Sequence, residues 1–465
     1  MSALLITGGR VLDPASGTDA VADVLVRDDT IVEVAPAIDL GAERDRLPDG
    51  SEVEFIDAAG RWVTPGFVDL HTHLREPGFE TAEDIATGSA AGVAGGYTAL
   101  CAMANTDPVC DTAVVAELVW RRGREVGLVD VLPVGAITKG LKGEQLAEYG
   151  ELVDCAAQVD AFSDDGIPVS DALVMRRALQ YATAFDAVLC NHSEDPDLTA
   201  DAQMNEGELS SLLGLPGWPR EAEEIMIARD LILAEGVGAR LHVLHVTTAG
   251  AVELVRAAKA RGVRVTAEVT PHHLTLTDEL VAGYDPVHKV NPPVRTARDL
   301  DALREALADG TIDVIATDHA PHPPELKDQE WEHAPCGMLG LETAFAVINT
   351  HLIRPGLLDP LTAVARFTTG ARAVRNLHGH AGAIAPGAPA NLAVLDPDHL
   401  WTVDAARLRS KARNNPFHGR EVTGRAVHTL LRGRFTLRDG EVVAPGAAGA
   451  AGATGAAGAG VGGHP

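Results

Sequence analysis

Cysteine is scarce in this 465-residue chain: five, at positions 101, 110, 155, 190 and 336, with no C-x-x-C pair. So few and so scattered, they suggest neither a disulfide framework nor a thiolate zinc site, and a reducing cytoplasm is the expected setting. Positive charge is also short, with 38 Lys and Arg against 66 Asp and Glu and a net charge of −28. That balance argues against nucleic acid or an anionic membrane as a partner. An anionic small molecule would have to be drawn in by basic residues inside a pocket. No apolar run approaches the roughly 18 residues of a membrane span. The N-terminus, Met1-Ser-Ala-Leu-Leu-Ile-Thr-Gly-Gly, has no basic stretch before an apolar core, so no leader is expected. Lysine is missing altogether between Lys142 and Lys259.

What is present is a change of rhythm. Residues 3 to about 62 read as short strands broken by Gly8-Gly9, Asp28-Asp29 and Ala59-Gly60. From Val63, β-rich apolar runs alternate with amphipathic segments of helix length. The strand candidates are Gly66 to Leu70, Tyr97 to Met103, Val131 to Ile137, Ala161 to Ser163, Ala187 to Asn191, Arg240 to Val246, Val263 to Val269 and Ile312 to Ala316. Helical periodicity covers, for example, Ala113 to Val126, Asp171 to Ala184, Ala222 to Glu235, Ala249 to Arg261 and Ala297 to Ala308. Eight strands with crossover helices predict an α/β fold, a (β/α)8 TIM-type barrel. Two Rossmann-like sheets are the competing arrangement, but no G-x-G-x-x-G opens a helix. Strand-and-turn sequence returns with Gly382 to Gly387, Asn391 to Leu395, Val427 to Leu431 and Phe435 to Leu437, so both chain ends are expected to pair as a small β-sandwich domain. The expected division is 1–62 and 381–443 for the β domain, 63–380 for the barrel, and a disordered Ala/Gly tail over 444–465.

In such a barrel the chemistry sits at the C-terminal strand ends. The first strand delivers His71 and His73, which at i, i+2 spacing share one face. Alone this is an even wager between half a metal site and an exposed polar strand end. Later strand ends add Asp164 and Asp165, His192, His245 and Asp318. Histidine or aspartate at five of eight ends predicts a metal site, with more donors than one ion needs. A bridging carboxylate would be Asp164 or Asp165. His242, three residues before His245, falls on the opposite strand face and is expected to pack against a helix.

Several longer strings sharpen this reading. Asp69-Leu-His-Thr-His-Leu-Arg-Glu-Pro-Gly78, Met103-Ala-Asn-Thr-Asp-Pro108, Asp164-Asp-Gly166, Met204-Asn-Glu-Gly207, Leu213-Gly-Leu-Pro-Gly217, Thr270-Pro-His-His-Leu274, Lys289-Val-Asn-Pro-Pro293 and Ala316-Thr-Asp-His-Ala-Pro-His322 resemble the class I bacterial dihydroorotases of the amidohydrolase superfamily. The resemblance runs from about residue 3 to 440. It implies reversible cyclisation of N-carbamoyl-L-aspartate to L-dihydroorotate in pyrimidine synthesis. It also implies two zinc ions per subunit, bridged by Asp165, a hydroxide or both: His71, His73 and Asp318 on the first, His192 and His245 on the second. Related barrels often use a carbamylated lysine as the bridge, and the lysine gap rules that out here. Asp318 would also be the general acid and base. For the substrate carboxylate the resemblance implies Arg75, with Asn105 and His322 as further donors; Asn291 and the main chain at Cys336-Gly337 would meet the ring amide. Similar enzymes often carry a bulkier apolar residue where Cys336 stands, and the thiol could add oxidation sensitivity. Residues 321 to 335 read as a mobile lid or a solvated loop.

A homodimer and a complex with aspartate carbamoyltransferase are the implied assemblies. The rival readings are a hydantoinase or allantoinase, which need no arginine for a ring carboxylate, and a catalytically silent scaffold, which should have lost ligands.

Overall fold

The computed structural model describes residues 3–40 and 53–443; the Ala/Gly tail lies outside them. Eight short strands follow one another with parallel neighbours: Phe67–Thr72, Tyr97–Ala102, Asp130–Pro133, Ala161–Phe162, Val188–Asn191, Arg240–Val243, Val265–Val269 and Val314–Ile315. The first three form one sheet and the other five a second. Single parallel bridges, Gly135 to Phe162 and Thr72 to His319, join the two sheets at both seams. The strands therefore run round a ring in chain order, the pairing of a (β/α)8 barrel. Tyr97–Ala102 is buried at all six positions because one strand face meets the helices and the other the ring interior.

The helices start and stop where local chemistry dictates. Asp171 accepts from the Leu173 and Val174 amides to open Ala172–Thr183, and Thr248 accepts from the Ala251 amide to open Ala249–Ala260. Glycines in left-handed conformation, Gly127 and Gly310, close Ala113–Val126 and Ala297–Asp309. Inside the ring, Val68, Cys101, Val134, Val188 and Ala316 pack with Ala371, Val374 and Leu377. That last segment plugs the N-terminal end of the strands, where the Asn376 amide donates to Asp160 just ahead of the fourth strand (2.8 Å). The opposite end stays open.

Both chain ends contribute to one nine-stranded sheet, and residues of its two halves, among them Val24 and Val26 from one and Leu392 and Leu430 from the other, pack into a single apolar cluster. The link is Trp62–Pro65, which pairs parallel with Arg10 and Val11 on one edge and antiparallel with Leu392–Leu395 on the other. A strand with both edges occupied fuses the halves. The Gly382–Gly387 stretch, expected as strand and turn, is turn alone: Gly387 takes φ 87° and the Ile384 amide donates to Asp13 instead of to a ladder. Among the described residues no helix is long and apolar enough to cross a membrane.

Candidate active site

The first barrel strand is not a regular one. Asp69 pairs with Leu100 and Thr72 with Ala102, so Leu70 and His71 together face the single residue Cys101. This bulge breaks the alternation: Leu70 belongs to the interior cluster, and His71 next to it reaches inward as well. His73 follows on the same side, its amide tied to the His319 carbonyl at 2.9 Å. Two further donors are aimed by their own backbone. His245 and Asp318 adopt φ 29° and 46°, and Arg75 adopts 63°, left-handed values that cost a non-glycine residue about 1–3 kcal/mol when held off the preferred regions.

These elements bring four imidazoles and two carboxylates together at the open end of the ring. His71 Nε2 lies 3.5 Å from both Asp165 Oδ1 and Asp318 Oδ1. His73 Nε2 lies 3.3 Å from Asp165 Oδ2 and 3.1 Å from Asp318 Oδ1. His192 Nδ1 and His245 Nε2 lie 3.5 and 3.6 Å from Asp165 Oδ1 and 2.9 Å from each other. Burial pushes the Asp165 carboxyl up, but the charge of His71 and the close approach of the His192 and His245 rings hold it well below the usual carboxylate range. Asp318 is likewise held low against burial by His71 and His73.

The choice between the two neighbouring aspartates is decided by geometry. Asp164 turns to the third strand's loop, accepting from the Ile137 amide (2.7 Å), the Thr138 amide (3.0 Å) and the Thr138 hydroxyl. Asp165 alone faces the histidines. His242 requires a correction. It does not pack against a helix; Leu241 and Val243 do, and His242 points into the ring, with Nδ1 2.8 Å from Thr266 Oγ1 and Nε2 3.0 Å from Glu268 Oε2. The strand ends at Val243, so strand parity no longer relates His242 to His245, and the turn swings both inward. Glu268 escaped the sequence reading. A lone carboxylate in the apolar run Val265 to Val269 was the signal. Glu194 was missed too, and sits 2.8 Å from His192 Nε2.

A cavity of about 230 Å³ opens over the cluster, and all six residues expected to touch substrate line it. Arg75 Nε donates to the Pro321 carbonyl (3.2 Å), leaving both Nη groups without a protein partner among the described residues. Asn291 Oδ1 is buried and unpartnered. Asn105 accepts from His73 Nδ1 (3.0 Å), which turns His73 Nε2 towards Asp318. His322, expected as a donor, gives its Nε2 proton to the Cys336 carbonyl (2.7 Å); burial and nearby Arg75 push its pKa down to about 3, so the ring stays neutral with an acceptor at Nδ1. Burial pushes the Cys336 thiol up, away from the thiolate that oxidises. Residues 321 to 335 are fastened at several points: Trp331 is buried against Met204, Leu215 and Val281, Lys289 Nζ donates to the Trp331 carbonyl (2.7 Å) and Lys327 Nζ to the Pro335 carbonyl (2.9 Å).

Residues 60–251 match the model of the dihydro-orotase-like family and residues 220–436 that of the amidohydrolase family. A dihydroorotase of Streptomyces coelicolor is 53% identical over 442 residues, 95% of this chain and all of its own. One of Mycobacterium tuberculosis is 51% identical, covering 91% of this chain and 96% of its own. The chain belongs to the dihydroorotase family. Among solved structures, an L-hydantoinase of Arthrobacter aurescens superposes with a TM-score of 0.82 at 27% identity, over 95% of this chain and 98% of that one.

Metal dependence is general for amidohydrolases, and the donors of this dihydroorotase-family site fit an ion. His71 Nε2 and Asp165 Oδ1 are buried, 3.5 Å apart, and neither has a hydrogen-bond partner. Two triads, His71-His73-Asp318 and His71-Asp165-His245, each bring three ligand atoms within 4.8 Å of one another. His192 stands outside both triads. Burial lowers its pKa, but the nearby carboxylates of Asp165 and Glu194 more than offset this and raise it to about 10. A raised histidine stabilises the metal-free fold fully below its free value of about 6.5 and loses that contribution as pH climbs towards the folded value. Metal must displace those protons. The rise in Tm on adding zinc is therefore expected to grow from about pH 6 to about pH 9, and a shift independent of pH would contradict a protonated His192.

Proposed function

We propose that this protein is a zinc-dependent dihydroorotase, interconverting N-carbamoyl-L-aspartate and L-dihydroorotate plus water, the third step of pyrimidine synthesis. The observation that carries this reading is Arg75. Among the residues lining the cavity it is the one side chain with a permanent positive charge, and its two free Nη groups match a carboxylate bidentately. A net charge of −28 repels anions elsewhere, so a local guanidinium is what an anionic substrate requires.

His71, His73 and Asp318 would hold one zinc, and His192 and His245 the other, with Asp165 between them. Taking His192 and His245 as ligands means giving up the hydrogen bond they now share. Bound ions supply a Lewis acid for the ring carbonyl and a water acidic enough to attack near neutral pH. Asp318 accepts the proton of the attacking water and returns it to the departing ring nitrogen, which becomes the ureido amine. Its position beside His73 and its ionised state suit it to take that proton. Asn291 Oδ1, unpartnered in a buried setting, accepts the ring N–H, and the backbone of Cys336-Gly337 lies across the same cavity. Gly337 is required there: at φ 144° an added Cβ would meet the Ala320 carbonyl and His322 Nε2, each at 2.8 Å.

The division at residues 62, 380 and 443, a homodimer, a complex with aspartate carbamoyltransferase and a cytoplasmic setting belong to the same reading; five free cysteines, four of them buried, suit a reducing compartment. The test is metal analysis of the purified protein together with turnover of dihydroorotate and of hydantoin by the protein alone. Turnover of dihydroorotate with two zinc ions per subunit is expected. Preference for hydantoin would replace the reading with the hydantoinase one.

A further inference from the structure

A column of hydrogen bonds runs through the ring interior beneath the metal-ligating cluster. Thr266 Oγ1 meets His242 Nδ1 at 2.8 Å, His242 Nε2 meets Glu268 Oε2 at 3.0 Å, and Glu268 Oε1 meets His71 Nδ1 at 2.7 Å. All four side chains lie inside the ring, and His71, His242 and Glu268 are fully buried. A consistent proton assignment runs the length of the column. The Glu268 carboxylate has only acceptors to offer, so His71 must present N–H at Nδ1 and His242 N–H at Nε2. The threonine hydroxyl then donates to His242 Nδ1. What remains on His71 is Nε2, buried, unpartnered and 3.5 Å from both Asp165 and Asp318.

We infer that Glu268 is the positioning residue of the metal centre, fixing His71 in the Nδ1–H tautomer with Nε2 turned to the ion, and that His242 and Thr266 hold Glu268 in turn. The inference rests on the proposed metal centre. Its physical ground is that an imidazole serves as a ligand in one tautomer and one orientation, and an anionic acceptor on the far nitrogen selects both while raising ligand basicity. His71 needs this more than its neighbours because it belongs to both triads. His73 has the neutral Asn105 oxygen in the corresponding place, a weaker acceptor. The His245 amide also faces Glu268 Oε1, at 3.4 Å, so the same carboxylate braces the turn that aims His245.

The test compares zinc affinity, by chelator competition, of the full-length wild type, E268Q and E268A. E268Q keeps the shape and an acceptor for His71 but loses the charge, and its amide group makes His242 reverse its tautomer. E268A removes the acceptor outright. Zinc binding is expected to weaken about tenfold in E268Q and about 100-fold in E268A, the range seen when such supporting groups are removed. The downfield proton resonance of a histidine N–H held by a carboxylate is expected in zinc-loaded wild type and absent from E268A. If E268A fails to fold, E268Q and the resonance still decide. Wild-type affinity in folded E268Q and E268A overturns the role given to Glu268 while leaving the metal centre standing. A wild type that takes up no zinc overturns the metal centre, and the inference with it.

Discussion

Replacing Asp318 with asparagine is expected to abolish turnover in both directions while leaving the fold intact. The carboxylate is nearly buried, 3.1 Å from His73 Nε2 and 3.5 Å from His71 Nε2, and those two imidazoles hold it ionised against the burial that would protonate it. An amide of the same size can fill the space but cannot accept a proton and give it back. Asparagine also tolerates the left-handed backbone at φ 46°, so no conformational penalty is added. Loss of a general acid and base alone costs about 10²–10⁴ in rate. Since Asp318 belongs to one of the ligand triads, weaker metal binding would deepen the loss. Measuring kcat at saturating zinc, beside the metal content and the Tm, separates these effects. A folded D318N protein with more than a tenth of wild-type kcat would remove Asp318 from the centre of the mechanism.

Arg75→Gln is the second large effect. The guanidinium is held by the Pro321 carbonyl through Nε, and its two Nη groups face a cavity with no other fixed positive charge. Truncating one partner of a buried charge pair costs about 2–5 kcal/mol, so kcat/KM for dihydroorotate should fall by about 30- to 5,000-fold. The loss should appear mainly in KM, because the carboxylate is gripped equally before and during the reaction. A cyclic amide without a carboxylate, such as hydantoin, should be affected far less. Glutamine inherits the φ 63° backbone unchanged, so the comparison isolates the charge. Equal losses for both substrates would show that Arg75 shapes the site rather than reading the carboxylate.

Most of the fold could be read directly. The helix Ala113–Val126 begins and ends where periodicity places it, and all eight barrel strands fall on predicted apolar runs, because an apolar pattern is a local property of the chain. The end sheet was less readable. Its two halves join through Trp62–Pro65, a four-residue strand whose partners lie more than 50 residues before it and more than 300 after it. Nothing local marks such a strand as the bridge between them.

At the site the same boundary holds. Which residues carry donors, His71, His73, Asp165, His192, His245 and Asp318, was decided by residue type and by position at strand ends. Where those donors point was not. His71 faces inward because a bulge interrupts strand alternation at Leu70, and His245 and Asp318 do so through left-handed backbone that few non-glycine residues adopt. Strand parity therefore misplaced His242, and Glu268 passed as one more residue of an apolar run. Sequence alone determined the chemistry available and the family, since both depend on residue identity and order. Only the tertiary structure decided direction, because a side chain's aim depends on backbone irregularities that long-range packing maintains and no short stretch of sequence specifies.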